Sequence, residues 1–351
     1  MKSAAKSRPK APTGALLSKN NFAHGAEKAL ATTFAPEGLE LNDAERKLFR
    51  AADPFGFILF SRNCGNPQQL YRLVQELKET VGRDCPVLVD QEGGRVQRMR
   101  PPHWREVPAF RQFGERFEED EDAALEDLRF ETLRLCEALV EAGINVNCSP
   151  VLDLIVEGAH EIIGDRSFSA DPETVGRLGL SVCRHHLKAG VTPVIKHIPG
   201  HGRAGADSHL ELPVVDDDPD VLRKTDFLPF RTISGSEVGA GVWGMTAHVV
   251  YTGLDPDLPA TLSATIIKDV IRGEIGFQGF LVGDDLDMKA LDPFGTLWER
   301  AAASLQAGCD IALYCKGELP VMEKLAENLP KIGENALERL QKASERGNIA
   351  A

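Results

Sequence analysis

The sequence predicts an α/β fold, a single-domain (β/α)8 TIM barrel, and three observations carry that expectation. The chain has 351 residues, 42% apolar and 26% charged, enough to bury a large core. From about residue 30, short β-like runs alternate with helical ones, the pattern of parallel α/β architecture. Eight such runs occur, several of them continuously apolar as in strands buried on both faces. Eight strands with helices between them in about 300 residues suit a barrel better than the runner-up, a doubly wound sheet.

The predicted strands are residues 31–34 (the weakest), 56–60, 86–90, 145–154, 193–197, 242–249, 280–284 and 310–315. Helical periodicity falls between them, over residues 68–81, 122–142, 172–189, 219–232, 263–274, 297–307 and 319–329. The start of the chain differs in composition. Residues 1–34 hold six Lys or Arg against Glu27 alone, so a net charge of −13 divides into +5 there and −18 elsewhere. Residues 1–30 are therefore expected to form a basic, disordered leader ahead of a catalytic domain at 31–351. No apolar segment follows the positive charges as a secretory signal requires, and no stretch approaches the roughly 18 apolar residues of a membrane span.

Overall acidity argues against a nucleic-acid partner, because phosphate contacts need a basic face. A small or neutral ligand fits better. The seven cysteines are scattered without a CxxC pair, which points to reduced thiols and a cytoplasmic location.

A barrel gathers its chemistry at the C-terminal ends of its strands. Arg62, Asp90, Asp153, Lys196, His197, His248 and Asp284 all fall at or just beyond predicted strand ends. The longest unusual stretch, KHIPGHGRAGADSHLEL from Lys196, is a glycine-bearing loop with His197, His201, Asp207 and His209. Two chemistries compete for it. The imidazoles and the carboxylate are of metal-ligand type, although Pro199 and Gly200 between His197 and His201 forbid the helix that would align an HxxxH pair. Alternatively Asp207 and His209, two apart in an extended segment, form a dyad in which the carboxylate fixes the tautomer of a proton-shuttling imidazole.

Asp90, Glu92, Arg95 and Arg98 in DQEGGRVQR offer acceptors and forked donors suited to sugar hydroxyls or a carboxylate. In GDDL at 283–286, strand alternation sends Asp284 and Asp285 to opposite sides, so one of them faces the axis as a nucleophile; alternation alone does not choose. Arg166, in IIGDRSFS, is placed to clamp a ligand or to pair with Asp165.

Taken in order, DQEGGRVQR (90–98), NCSPVLDL (147–154), GDRSFS (164–169), KHIPGHG (196–202), DSH (207–209), MTAHVVY (245–251) and GDDLDM (283–288) resemble the bacterial β-N-acetylglucosaminidases of glycoside hydrolase family 3. The resemblance spans about residues 35–330. It implies a monomeric, cytoplasmic, retaining exo-hydrolase of peptidoglycan recycling, with no cofactor and no metal. Its small-molecule substrate would be a muropeptide bearing terminal N-acetylglucosamine on 1,6-anhydro-N-acetylmuramic acid. Carried over by position, Asp284 is the nucleophile, His209 the acid/base and Asp207 its orienting partner, while Asp90, Arg98, Arg166, Lys196 and His197 hold the terminal sugar. Ile198, Gly283 and Asp287 depart from the family pattern without removing any of these groups. A β-glycosidase of other sugar specificity and a metal-dependent barrel hydrolase are the alternatives.

Overall fold

The computed structural model describes residues 20–346. Eight strands close into a barrel: β1 (Leu30–Phe34), β2 (Pro54–Leu59), β3 (Val87–Val89), β4 (Val146–Asn147), β5 (Thr192–Ile198), β6 (Trp243–Thr246), β7 (Leu281–Asp285) and β8 (Ile311–Leu313). Each pairs in parallel with its neighbour in sequence, and β8 returns to β1 through Thr32 opposite Ala312. The chain is therefore the (β/α)8 barrel that the alternation of apolar runs predicts.

Two predicted elements are shorter than expected, for identifiable reasons. The run at 145–154 forms only two ladder residues, because Pro150 lacks a donor; beyond it Val151 bridges to Lys196. The helix expected at 219–232 is two, Pro219–Lys224 and Phe227–Ser234, broken where the buried carboxylate of Asp226 turns to Arg203. Three further helices are Asp43–Ala52, Phe110–Glu119 and Glu334–Arg346.

Inside the barrel, Ile58, Leu88, Val146, Cys148, Val194, Met245, Val282, Ile311 and Leu313 form one apolar core. That core continues downward. At the N-terminal end of the strands Phe55, Trp243 and Phe280 meet Phe22, Ala26, Ala29, Ile332, Ala336 and Leu340, so the first described residues and the last helix together cap the bottom. The expectation of a leader over residues 1–30 is corrected here for its second part. Residues 1–19 lie outside the described residues, but residues 20–30 are docked: Phe22 is 4% exposed with its ring 5.5 Å from that of Trp243, and the Asn20 amide donates to the Gly190 carbonyl at 2.9 Å. Apolar burial at the barrel floor outweighs the polar composition around these residues. Among the described residues no helix is long and apolar enough to cross a membrane.

Candidate active site

At the opposite, C-terminal end of the strands lies a cavity of about 350 Å³, floored by Ile58, Met245 and Leu313 from the top of the barrel core. Its walls are polar. One wall grows from the segment after β3, where Gln91–Gly93 folds back antiparallel on Val96–Gln97. The Gln91 side chain fixes this hairpin by accepting from the backbone N–H groups of Arg98 and Met99 and donating to the Met99 carbonyl.

The hairpin presents Asp90 and Glu92 to three cations. Lys196 Nζ, from β5, sits 2.8 Å from Asp90 Oδ1 and 2.7 Å from Glu92 Oε1. Arg98 donates to Asp90 Oδ2 at 2.9 Å, and Arg166 grips Glu92 with two bonds of 2.9 Å. Burial opposes ionisation of both carboxyls, yet Lys196 and Arg98 hold Asp90, and Arg166 and Lys196 hold Glu92, below the usual carboxylate range. The wall thus carries two anions and three cations in one rigid fork-and-carboxylate lattice, with Arg98 also lying over the Phe60 ring at 5.3 Å.

Two aspartate–histidine pairs stand on the next side, both built on the segment that begins in β5. In the buried pair, His197 Nδ1 is 2.6 Å from Asp153 Oδ2. In the outer pair, Asp207 Oδ1 accepts from the His209 backbone N–H at 2.8 Å and lies 2.9 Å from its Nδ1, while the His209 ring remains 63% exposed. Burial raises the Asp207 carboxyl, but its bonds from His209 outweigh this and leave it below its ordinary value. The loop carrying this pair is docked: Arg203 bridges to Asp226 and Asp217, and the Ser208 carbonyl accepts from Ala290 N–H at 3.2 Å.

On the remaining side β7 ends in Asp284 and Asp285, both half-buried and both lining the cavity. Their environments differ. Asp284 Oδ1 accepts the Asp285 N–H at 2.8 Å, and although burial opposes its charge, His248, His197 and that N–H keep it ionised below the normal range. At Asp285 burial, with Asp284 and Asp287 adding like charge, pushes the carboxyl up to about 6. His248 is buried behind them, Nδ1 against Thr261 Oγ1 and Nε2 donating to the Asp285 carbonyl at 2.9 Å.

Residues 28–347 match the N-terminal domain of glycosyl hydrolase family 3. The chain belongs to glycoside hydrolase family 3. The hydrolase is similar to a beta-hexosaminidase of Aromatoleum aromaticum, 37% identical over 315 residues that cover 89% of this chain and 86% of that one. A beta-hexosaminidase of Alkalilimnicola ehrlichii is 39% identical over 279 residues, covering 80% of this chain and 78% of its own. Among solved structures it resembles NagZ from Neisseria gonorrhoeae in complex with N-trifluoroacetyl-D-glucosamine, with a TM-score of 0.81, 33% identity, and coverage of 92% of this chain and 93% of that one. Enzyme class follows from this membership and these relatives: a glycoside hydrolase of the β-N-acetylhexosaminidase type.

Of the eight site residues expected from sequence, Asp90, Arg98, Arg166, Lys196, His197, His209 and Asp284 line the hydrolase's cavity at the C-terminal end of the strands. Asp207 touches it through His209. Arg62, at a predicted strand end, instead lies over Phe60 at 4.8 Å and donates to the Cys315 carbonyl at 2.6 Å. The sequence singles out Glu92, Asp153 and Asp285 without their partners: Glu92 anchors Arg166, Asp153 holds His197, and Asp285 lies beside Asp284. Glu92 and Asp153 each find their partner across tens of residues, so no local spacing marks them. Among the described residues no group of three or more His, Cys, Asp or Glu side chains is arranged to hold a metal ion.

Proposed function

We propose that the hydrolase removes terminal, non-reducing N-acetylglucosamine from muropeptides carrying 1,6-anhydro-N-acetylmuramic acid, in the cytoplasm and as part of peptidoglycan recycling, by a retaining double displacement that needs no metal. One observation carries the mechanism: an ionised Asp284 and an aspartate-held His209 face the same cavity, one at the end of β7 and the other from a surface loop. A retaining glycosidase needs this division of labour between a nucleophile at the anomeric carbon and a proton donor at the leaving oxygen.

In the first step Asp284 bonds to the anomeric carbon as the glycosidic bond breaks, and His209 gives its proton to the departing oxygen. In the second, His209 takes a proton from water, the water oxygen attacks the same carbon, and the ester to Asp284 opens with net retention. Asp207 keeps the His209 ring in the tautomer that can do both. The lattice of Asp90, Arg98, Arg166 and Lys196, with His197, supplies the donors and acceptors for the hydroxyls of the terminal sugar. The Neisseria gonorrhoeae relative, solved with an N-acylated glucosamine, supports the sugar class.

Purified protein should release the aryl group of an aryl β-N-acetylglucosaminide and cleave the anhydro-muropeptide, unaffected by a chelator. Asp284→Ala should abolish both reactions. Mass spectrometry after trapping with a fluorinated sugar should find the adduct on the peptide containing Asp284. Turnover without any adduct would favour attack by the substrate's own acetamido group, and an inactive wild type would refute the assignment.

A further inference from the structure

Close to the cavity, the Asp153 carboxylate lies in the segment after β4 and is only 1% exposed. A lone carboxylate at such depth is costly unless every oxygen is occupied. Here each is. Oδ1 accepts the backbone N–H groups of His197 at 3.1 Å and His201 at 2.6 Å, and Oδ2 lies 2.6 Å from His197 Nδ1. All three donors come from one short stretch, so the two oxygens have separable tasks: one ties down the turn that leaves β5, the other fixes a side chain.

That side chain lines the cavity. With Nδ1 committed to a buried carboxylate, Nε2 is the ring nitrogen left for a ligand. His201 does not compete for the role. Its ring stands edge-on to His197 with centroids 5.7 Å apart, its Nε2 meets Ser208 Oγ at 3.2 Å, and burial lowers it to about 4, so it stays neutral beside the pair.

We propose that Asp153 is a positioning residue for the sugar pocket, acting through His197: its Oδ2 keeps a proton on Nδ1 and thereby aims Nε2 at the terminal sugar. This rests on the proposed assignment of His197 to the sugar, and the two can fail separately. Asp153→Asn isolates the idea, because the amide oxygen can still accept the two backbone N–H groups while its NH2 meets Nδ1 and drives the ring proton to Nε2.

In the wild type, 15N NMR of the His197 ring should show Nδ1 protonated; a bare Nδ1 would overturn the proposal whether or not the variant folds. In Asp153→Asn the proton should move to Nε2, with kcat/KM down about 10–100-fold and most of the loss in KM. In a His197→Ala background the same change should cost nothing further. An equal loss in that background would mean that Asp153 serves only the turn. If His197→Ala itself left kcat/KM unchanged, the sugar assignment would fall instead, and the tautomer result would still decide what Asp153 does to the ring.

Discussion

Two adjacent aspartates show what a residue's surroundings add to its identity. Alternation along β7 says that Asp284 and Asp285 face different ways, and nothing in the letters DD says which is kept charged. The structure separates them by company: His248, His197 and a backbone N–H favour the anion at Asp284, whereas Asp285 is buried with like charge beside it and rises to about 6. A carboxyl raised in this way favours the folded state while it is protonated. Its contribution is complete below the ordinary carboxylate value of about 4 and is lost as the pH climbs through about 6. Asp285→Asn should remove that loss, so urea unfolding from about pH 4 to about pH 7 should show the variant gaining on the wild type by up to about 3 kcal/mol. A constant offset across that range would place the Asp285 titration at its ordinary value.

Elements were legible where the signal is local and obscure where it is not. Eight apolar runs gave eight strands, since a strand buried on both faces must be apolar whatever its neighbours. No periodic run predicts the helix Asp43–Ala52, although its start is written plainly: Asn42 accepts from Glu45 N–H, and the Glu45 side chain returns to Asn42 N–H, a capping box readable from N-x-x-E. The loop after β5 reads as glycine-bearing, but its glycines are not equivalent. Gly202 is buried against β4's following segment, where an added Cβ would fall 2.2 Å from the Leu154 carbonyl oxygen, which as backbone has little room to yield; around Gly205 there is open space. Gly202→Ala should therefore cost about 1–3 kcal/mol and displace the loop that carries His209. Gly205→Ala should stay within about 0.5 kcal/mol of wild type. Thermal unfolding of the two variants side by side checks this, and equal losses would show that the loop is not anchored at Gly202.

At the scale of the whole molecule, the two ends of the barrel divide its tasks. The upper end is polar and open, with its charges cross-linked into a lattice around the cavity; the lower end is apolar and closed by residues from both extremes of the described chain. That closure could not be read from the sequence near residue 22, because a single phenylalanine in a polar, lysine-bearing run has no periodicity and its partner Trp243 is far along the chain. Between the ends stands a core of strand side chains that is packed rather than hollow and separates the floor from the cavity by the length of the strands. Phe22→Ala removes a ring enclosed by Trp243 and its neighbours and should lower stability by about 3–5 kcal/mol. The fraction that remains folded should keep the wild-type kcat and KM, because Phe22 packs at the floor of the barrel and is not among the residues that line the cavity. Denaturant unfolding gives the first quantity and active-site titration followed by steady-state kinetics the second. A changed KM in fully folded protein would show that the floor of the barrel communicates with the sugar pocket, and the division between a supporting end and a reacting end would have to be abandoned.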